Sequence, residues 1–245
     1  MEIHLSEIDR IRFGIITAKA KIDSGDTVGE LLLSARKMGA TLVIVRVSTK
    51  YTTLAQDLEA NSALLTDTLV YYKKININNY KISLPCGYSY RNADPADAEK
   101  VERLATAAFD DYGGHYHADR RLARTDCNLV YSSWAQQSCL KKIVADNVVL
   151  INSADEIAAF ATLKRMNNSA FDGVLYCVSP AHRSKGLHLT LMKLSQNWGV
   201  SNGFTEMITS TQVTNTTAQK NWCRVGMEPF ESFYTFHIWI DHDPI

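Results

Sequence analysis

The sequence predicts an α/β protein, of the α+β kind, in which a small N-terminal αβ domain precedes a larger one, and three observations carry that expectation. Segments with the period of a strand and segments with the period of a helix alternate along most of the 245 residues. A polar, turn-prone stretch, Asn76-Ile-Asn-Asn-Tyr80, interrupts the alternation. Hydrophobic residues at 46% against 21% charged give enough apolar surface for a substantial core. The boundary is drawn at the polar stretch, which gives domains 1–78 and 79–245.

In the first domain Ile16, Ala18, Ala20 and Ile22 alternate with Thr17, Lys19 and Lys21, the pattern of a strand with one wet face. Leu31, Ala35 and Met38 recur at helical spacing from Val28 onward, and Gly39 follows where a left-handed cap forms most easily. Leu42 to Val47 reads as a buried strand, Thr52 to Ala60 as a short helix and Thr68 to Lys73 as a further strand. In the second domain Asp94-Pro95 opens a helix whose inner face is Val101, Leu104, Ala105 and Ala108. Tyr112-Gly-Gly-His-Tyr-His-Ala-Asp119 breaks it, and a second helix runs from about Arg120 to Lys141. Strands are expected at Val148–Asn152, Ile157–Arg165 and Gly173–Val178, with Asn167-Asn168 in the turn between the last two. A helix from Leu187 to Trp198, a strand from Thr205 to Ser210, a helix from Thr216 to Val225 and a strand from Ser232 to Ile240 complete the chain, with no internal repeat.

The 26 basic residues balance the 26 acidic ones, so no overall field favours nucleic acid or an anionic membrane. Five scattered cysteines, Cys86, Cys127, Cys139, Cys177 and Cys223, lack metal-ligand spacing and suit free thiols in a reducing compartment; no metal is expected. Charges sit where a secretory leader needs an apolar core, and no run approaches the length of a membrane span. The cytoplasm is the expected location, and a homodimer is left open.

The densest chemical signal begins where the strand Val174-Leu-Tyr-Cys-Val178 runs into Ser179-Pro-Ala-His-Arg183-Ser184-Lys185-Gly186-Leu187-His188, with a helix directly after it. A loop leading into a helix N-terminus offers oriented N–H groups and a positive dipole end to a diphosphate. Gly186 lets the main chain approach, and Arg183 and Lys185 add charge-assisted contacts. Val178, Pro180, Arg183, Gly186 and Leu187 also match the main motif of the GNAT superfamily of acyl-coenzyme A N-acyltransferases, which this chain resembles. His188 departs from it, replacing a small residue beside the diphosphate. A second family motif follows in order, matched by Asn215, Ala218 and Gly226, with Trp222 and Met227 at its aromatic positions.

The resemblance implies the GNAT fold, a mixed central sheet flanked by helices, with acetyl-coenzyme A as co-substrate. It implies that Ser184, Lys185, Gly186, Leu187 and His188 join Arg183 around the diphosphate, and that Asn215 bonds the coenzyme. It also implies that the strand splays from its neighbour near Cys177 and Val178, whose backbone then holds the pantetheine, so that Cys177 needs no catalytic role. Within the superfamily the chain looks most like the TDP-fucosamine acetyltransferases, two-domain enzymes that N-acetylate a nucleotide-linked amino sugar. That likeness rests on Phe13-Gly14, on Thr211-Gln212-x-x-Asn215-Thr216 and on the pair Tyr131 and Trp134. It implies a dTDP-amino sugar acceptor, a place in bacterial surface-polysaccharide synthesis, and Gln212 on the substrate side. The alternatives are a GNAT enzyme for another small amine or peptide, or a non-catalytic acyl-coenzyme A binder.

Chemistry alone suggests the remaining roles. His115 and His117, in a Gly-rich turn beside Asp119, Arg120 and Arg121, are candidates to take the proton of the acceptor ammonium, while Asp119 and the two arginines hold the substrate. The resemblance implies a rival base in Glu206, since acidic residues on its strand face the acceptor in some relatives. Trp222 stands where many family members carry the tyrosine that protonates the leaving thiolate. An indole N–H donates a hydrogen bond and nothing more, so Trp222 either stabilises the sulfur or belongs to the helix-face core.

Overall fold

A computed structural model describes residues 1–110, 112–140 and 145–240. In chain order its elements are β1 (Glu2–Leu5), α1 (Glu7–Phe13), β2 (Thr17–Ile22), α2 (Val28–Lys37), β3 (Leu42–Ser48), α3 (Thr52–Ala60), β4 (Leu64–Ile75), β5 (Tyr88–Asn92), α4 (Ala98–Phe109), α5 (His115–Ala118), α6 (Arg124–Cys139), β6 (Asn147–Ser153), β7 (Glu156–Arg165), β8 (Ala170–Val178), α7 (Leu187–Ser201), β9 (Glu206–Gln212), α8 (Thr216–Arg224) and β10 (Glu228–Trp239). Compactness divides the chain into two units. The first takes residues 1–70, 113–127 and 231 onward, and the second takes 71–112 and 128–230. The expected boundary at 78 thus falls inside the second unit, and two later segments belong with the N-terminal one.

In the first unit the buried alternation of Ala18, Ala20 and Ile22 sets β2 beside β3, in parallel, with Ala18 opposite Val43. β1 pairs antiparallel with β2, and β10 lies antiparallel on the other side of β3, Phe236 opposite Val45. α2 starts at a capping box in which Thr27 and Glu30 exchange hydrogen bonds, and it buries Val28, Leu31 and Ala35 on the core of Val43, Val45, Leu58 and Phe236.

In the second unit β5, β6, β7 and β8 form an antiparallel succession, and β9 continues it parallel to β8. α4 and α6 cover one face with Val101, Ala105, Ala135 and Cys139 packed on Leu150, Phe160, Leu175 and Cys177. On β8, Phe171 meets Trp198 of α7 edge to face, with ring centroids 5.2 Å apart. Gly199 of α7 lies so close to Phe171 and Ile77 that a methyl group there would collide with both.

Several elements escaped the pattern. β1 and α1 carry charges on alternate or adjacent positions and show little periodicity, yet Asp9 of α1 is fully buried. β5 is polar and paired on one side by β6, so hydrophobic alternation gave no signal for it. The expected helix from Arg120 begins at Arg124, because 120–123 turn instead. Its expected end at Lys141 lies outside the described residues. The expected break between helices holds one short helix, α5.

Candidate active site

The loop that leaves β8 has the form of an anion cradle. Ser179 N–H donates to Ala158 O at 2.9 Å and His182 N–H to Ser179 O at 2.9 Å, which closes a single 3₁₀ turn over Pro180–His182. From Ser184 to Leu189 no amide donates to any group among the described residues, and α7 has no side-chain cap. Ser184 and Gly186 both adopt left-handed backbone, at φ 62° and φ 75°, and such reversals turn successive N–H groups toward one concavity. Arg183 and Lys185 are exposed beside it. Those amides, the positive end of a 15-residue helix and two cations suit the diphosphate of a coenzyme.

The strand feeding that loop parts from its neighbour. β8 and β9 pair from Ala170 opposite Glu206 to Gly173 opposite Thr209, and the pairing stops there. Thr209 Oγ1 closes the last step by donating to Gly173 O at 2.8 Å. On the β7 side the register shifts at the same place, so Val174 is skipped and Leu175 N–H donates to Thr162 Oγ1 at 3.1 Å. A bulge there re-aims the strand. The Tyr176 ring folds back over Gly173, where any Cβ would strike it, and the Tyr176 hydroxyl donates to Ser195 Oγ at 3.0 Å. Val174 to Val178 therefore keep backbone groups on the β9 side without a partner strand, beside the start of the loop.

Cys177 lies on this edge, but its thiol is buried under α4 and its pKa is pushed up to about 12. Fewer than about one in 10⁴ such thiols is ionised near pH 7, so Cys177 is no nucleophile. His188, in the first turn of α7, has an Nδ1 with neither solvent nor partner, and burial lowers its pKa to about 4. Its ring sits 5.5 Å from that of Tyr176, so it enters the site as a neutral group. Asn215 caps α8, its Oδ1 accepting from Ala218 N–H at 3.2 Å and its Nδ2 donating to Thr211 Oγ1 at 3.0 Å. Gln212 ends β9 next to it.

The His115–Arg121 segment belongs to the first unit and forms a second polar centre. His237 of β10, fully buried, donates from Nδ1 to Asp119 Oδ2 at 2.9 Å. The indole of Trp239 donates to the same oxygen at 2.8 Å, and Arg121 N–H to Asp119 Oδ1 at 3.1 Å. Burial raises the Asp119 pKa, but the hydrogen bonds from His237 and Trp239 outweigh it and bring it down to about 2. His237 Nε2 lies 2.9 Å from His115 Nδ1, and the two rings share one hydrogen bond. Burial first, and then the positive surroundings of His237, Arg46 and Lys19, hold the His115 pKa well below its ordinary value.

Around this centre His117 accepts from Gly114 N–H through Nδ1 at 3.1 Å. Arg120 and Arg124 line a cavity of about 410 Å³ with His117, Leu122 and Cys127. Arg121 instead lies over the Trp239 ring at 5.2 Å. Nearby, Asp9 gathers the Tyr116 hydroxyl at 2.8 Å, Ser6 Oγ at 2.6 Å and Lys19 Nζ at 2.7 Å.

Comparison with known proteins places this geometry. The model of the Acetyltransferase (GNAT) family matches residues 103–227, just over half of the chain. The protein belongs to the GNAT acetyltransferase family. It is similar, at 25% identity over 146 residues, to the spore coat polysaccharide biosynthesis protein SpsD of Bacillus subtilis (strain 168). That match covers 60% of this chain and 49% of the relative, so the similarity spans about half the length of SpsD. Among solved structures, a GCN5-related N-acetyltransferase from Sphaerobacter thermophilus superposes with a TM-score of 0.63 at 14% identity, covering 97% of this chain and 76% of that one. A GCN5-related N-acetyltransferase from Kribbella flavida does so with a TM-score of 0.63 at 16% identity, covering 91% and 80%. At those identities the likeness speaks for the fold alone.

Within the acetyltransferase the expected site residues fall into groups. Val178, Arg183, Ser184, Lys185, Gly186, Leu187 and His188 are contiguous on the loop and the helix it enters, and Cys177 immediately precedes them. Glu206 does not join them. It pairs with Ala170 at the opposite end of β8 from Val178, a separation of roughly 26 Å along the strand. Asp119 lines the cavity with Arg120, and its carboxylate accepts from the three donors already described. Trp222 is 3% exposed and packs edge to face on Tyr72 with ring centroids 5.2 Å apart. Its N–H has no acceptor among the described residues. Sequence reasoning missed His237 and Trp239, which sit in an apolar strand with no motif around them, and whose role depends on a carboxylate more than a hundred residues away.

Proposed function

We propose that this acetyltransferase moves the acetyl group of acetyl-coenzyme A to the amine of a nucleotide-linked amino sugar, a dTDP-amino sugar, in bacterial surface-polysaccharide synthesis. The single observation that carries the coenzyme half is the run of acceptorless amides from Ser184 to Leu189 at the head of α7. Arg183 and Lys185 add charge to the same diphosphate, and the unpaired edge of β8 from Val174 to Val178 supplies backbone groups for the pantetheine arm and the thioester carbonyl. The acceptor half is supported by the name of SpsD, a polysaccharide biosynthesis protein, and by the arginine-lined cavity of the first unit, whose Arg120 and Arg124 suit a substrate diphosphate.

The chemistry is direct transfer. A neutral amine attacks the thioester carbonyl, the tetrahedral oxyanion collapses, and coenzyme A leaves as a thiolate whose ordinary pKa of about 8.5 makes it a tolerable leaving group. No side-chain nucleophile intervenes, in keeping with the inert Cys177. His115 and His117 are the candidate acceptors of the ammonium proton, and His237 and Asp119 hold the His115 ring.

Thiol release from acetyl-coenzyme A, followed across a panel of dTDP- and UDP-linked amino sugars, simple amines and peptides, tests the assignment. Turnover confined to nucleotide-linked amino sugars is the expected result. Faster turnover with a free polyamine or a peptide amine would replace the sugar by that acceptor.

A further inference from the structure

The diphosphate loop does not hold its own shape. Its amides from Ser184 onward bond to nothing among the described residues, and Ser184 occupies left-handed backbone, which a residue other than glycine adopts at a penalty of about 1 kcal/mol. Among the described residues two side chains from outside the loop hydrogen-bond to it: Thr190 Oγ1 donates to Gly186 O at 3.3 Å, and Tyr88 engages the loop's own side chains twice. Lys185 Nζ donates to the Tyr88 hydroxyl at 2.9 Å, and that hydroxyl lies 2.7 Å from His182 Nδ1. The lysine always donates, so the phenol oxygen accepts from it while sharing a second hydrogen bond with the imidazole. The rings reinforce the tie. Tyr88 and His182 meet edge to face at 5.7 Å, and the ammonium of Lys185 lies 5.6 Å from the centre of the phenol ring.

Tyr88 is anchored independently of the loop. It begins β5, pairs with Ser153 of β6, and its N–H donates to Pro85 O at 3.2 Å across the turn that Gly87 makes at φ 83°. One oxygen on the edge strand therefore spans the loop from its 3₁₀ turn to the last residue before the helix-capping glycine. It holds the two ends in register and keeps the Lys185 ammonium beside the open amides.

We infer that Tyr88 is the positioning residue of the coenzyme site, fixing the loop and Lys185 for a diphosphate ester. The inference rests on the reading of the loop as the diphosphate cradle, and it deepens that reading by tying the cradle to a strand outside either family motif.

Tyr88→Phe keeps the ring and removes the oxygen. Equilibrium binding of acetyl-coenzyme A to the purified chain, by calorimetry, is expected to weaken about five- to tenfold, the size of one charge-assisted hydrogen bond. Acetyl-pantetheine, which carries the thioester without the diphosphate, measured by displacement, is expected to bind wild type and variant alike. Lys185→Met and His182→Leu each cut one half of the tie and serve if the tyrosine variant folds poorly; each should reproduce part of the loss on acetyl-coenzyme A alone. Unchanged acetyl-coenzyme A binding in all three, or an equal loss for both thioesters, would overturn the role of Tyr88 while the wild-type preference for acetyl-coenzyme A left the cradle standing. A wild-type protein that bound the two thioesters equally would remove the cradle itself, and the tyrosine's role with it.

Discussion

The loop from Ser179 to Gly186 and the cluster around Asp119 handle polar groups in opposite ways. In the loop six consecutive residues, Ser184 to Leu189, leave their amides without acceptors, and two exposed cations stand beside them. In the cluster each oxygen of a buried carboxylate is met by a donor, and each imidazole nitrogen between Asp119 and His115 is matched to its neighbour. Unmet donors at a surface are a binding site waiting for an anion, because water satisfies them in the meantime at little penalty. Saturated groups in a core can only orient one another, because any vacancy there costs about 1–3 kcal/mol. The difference separates unmet donors that can take a ligand from groups that hold one another in place.

The sharpest way to break that contrast is to remove the histidine at the end of the cluster. His115→Ala is expected to lower kcat by about 10²–10³-fold and to raise the pH at which the rate reaches its plateau, since a more alkaline solution must then supply the neutral amine. An unchanged pH–rate profile would leave the cluster a structural device. On the loop side, Gly186→Glu places a carboxylate among the amides and forces a side chain onto backbone at φ 75°. KM for acetyl-coenzyme A should rise roughly 30-fold with little change in kcat. A smaller rise than threefold would show that the amides are not where the coenzyme binds.

Each region contains a buried histidine with a depressed pKa, and acid therefore probes both. A folded-state pKa below the unfolded value means that the unfolded chain binds the proton more readily, so stability is complete above about pH 6.5 and falls as pH drops toward the folded pKa. For His188, lowered to about 4 by burial, the loss between pH 7 and pH 5 amounts to about 2 kcal/mol. Denaturant titrations of wild type, His188→Leu and His115→Ala across that range divide the acid lability between loop and cluster. A His188→Leu protein as acid-sensitive as wild type would mean that the imidazole reaches water. The smallest effect is expected at Trp222→Phe, with activity within about threefold, because the change removes an indole N–H that has no acceptor among the described residues and keeps the ring against Tyr72. A loss of a hundredfold or more at equal stability would return Trp222 to the chemistry.

Legibility in the sequence follows the same divide. Val178, Pro180, Arg183, Gly186 and Leu187 are neighbours along the chain, so strand, turn, left-handed glycine and helix start are all local consequences of residue type. The alternation of Ala18, Ala20 and Ile22, the capped helix from Val28 and the helix face of Val101, Leu104 and Ala105 were readable for the same reason. Glu206 was misjudged because a carboxylate on the right strand says nothing about which end of it lies near the loop. Only the pairing with Ala170 decides that.

By itself the sequence determined the family and the strand–loop–helix from β8 to α7, since each depends on interactions spanning a few residues and on backbone geometry that side-chain type dictates. Only the tertiary structure decided that His115 meets His237, that Asp119 accepts from His237 and Trp239, and that Tyr88 ties down Lys185 and His182. Those facts rest on atoms brought together from 94 to 122 residues apart. The direction of a proton in a hydrogen-bonded chain is fixed by the last partner in it, which no local pattern contains.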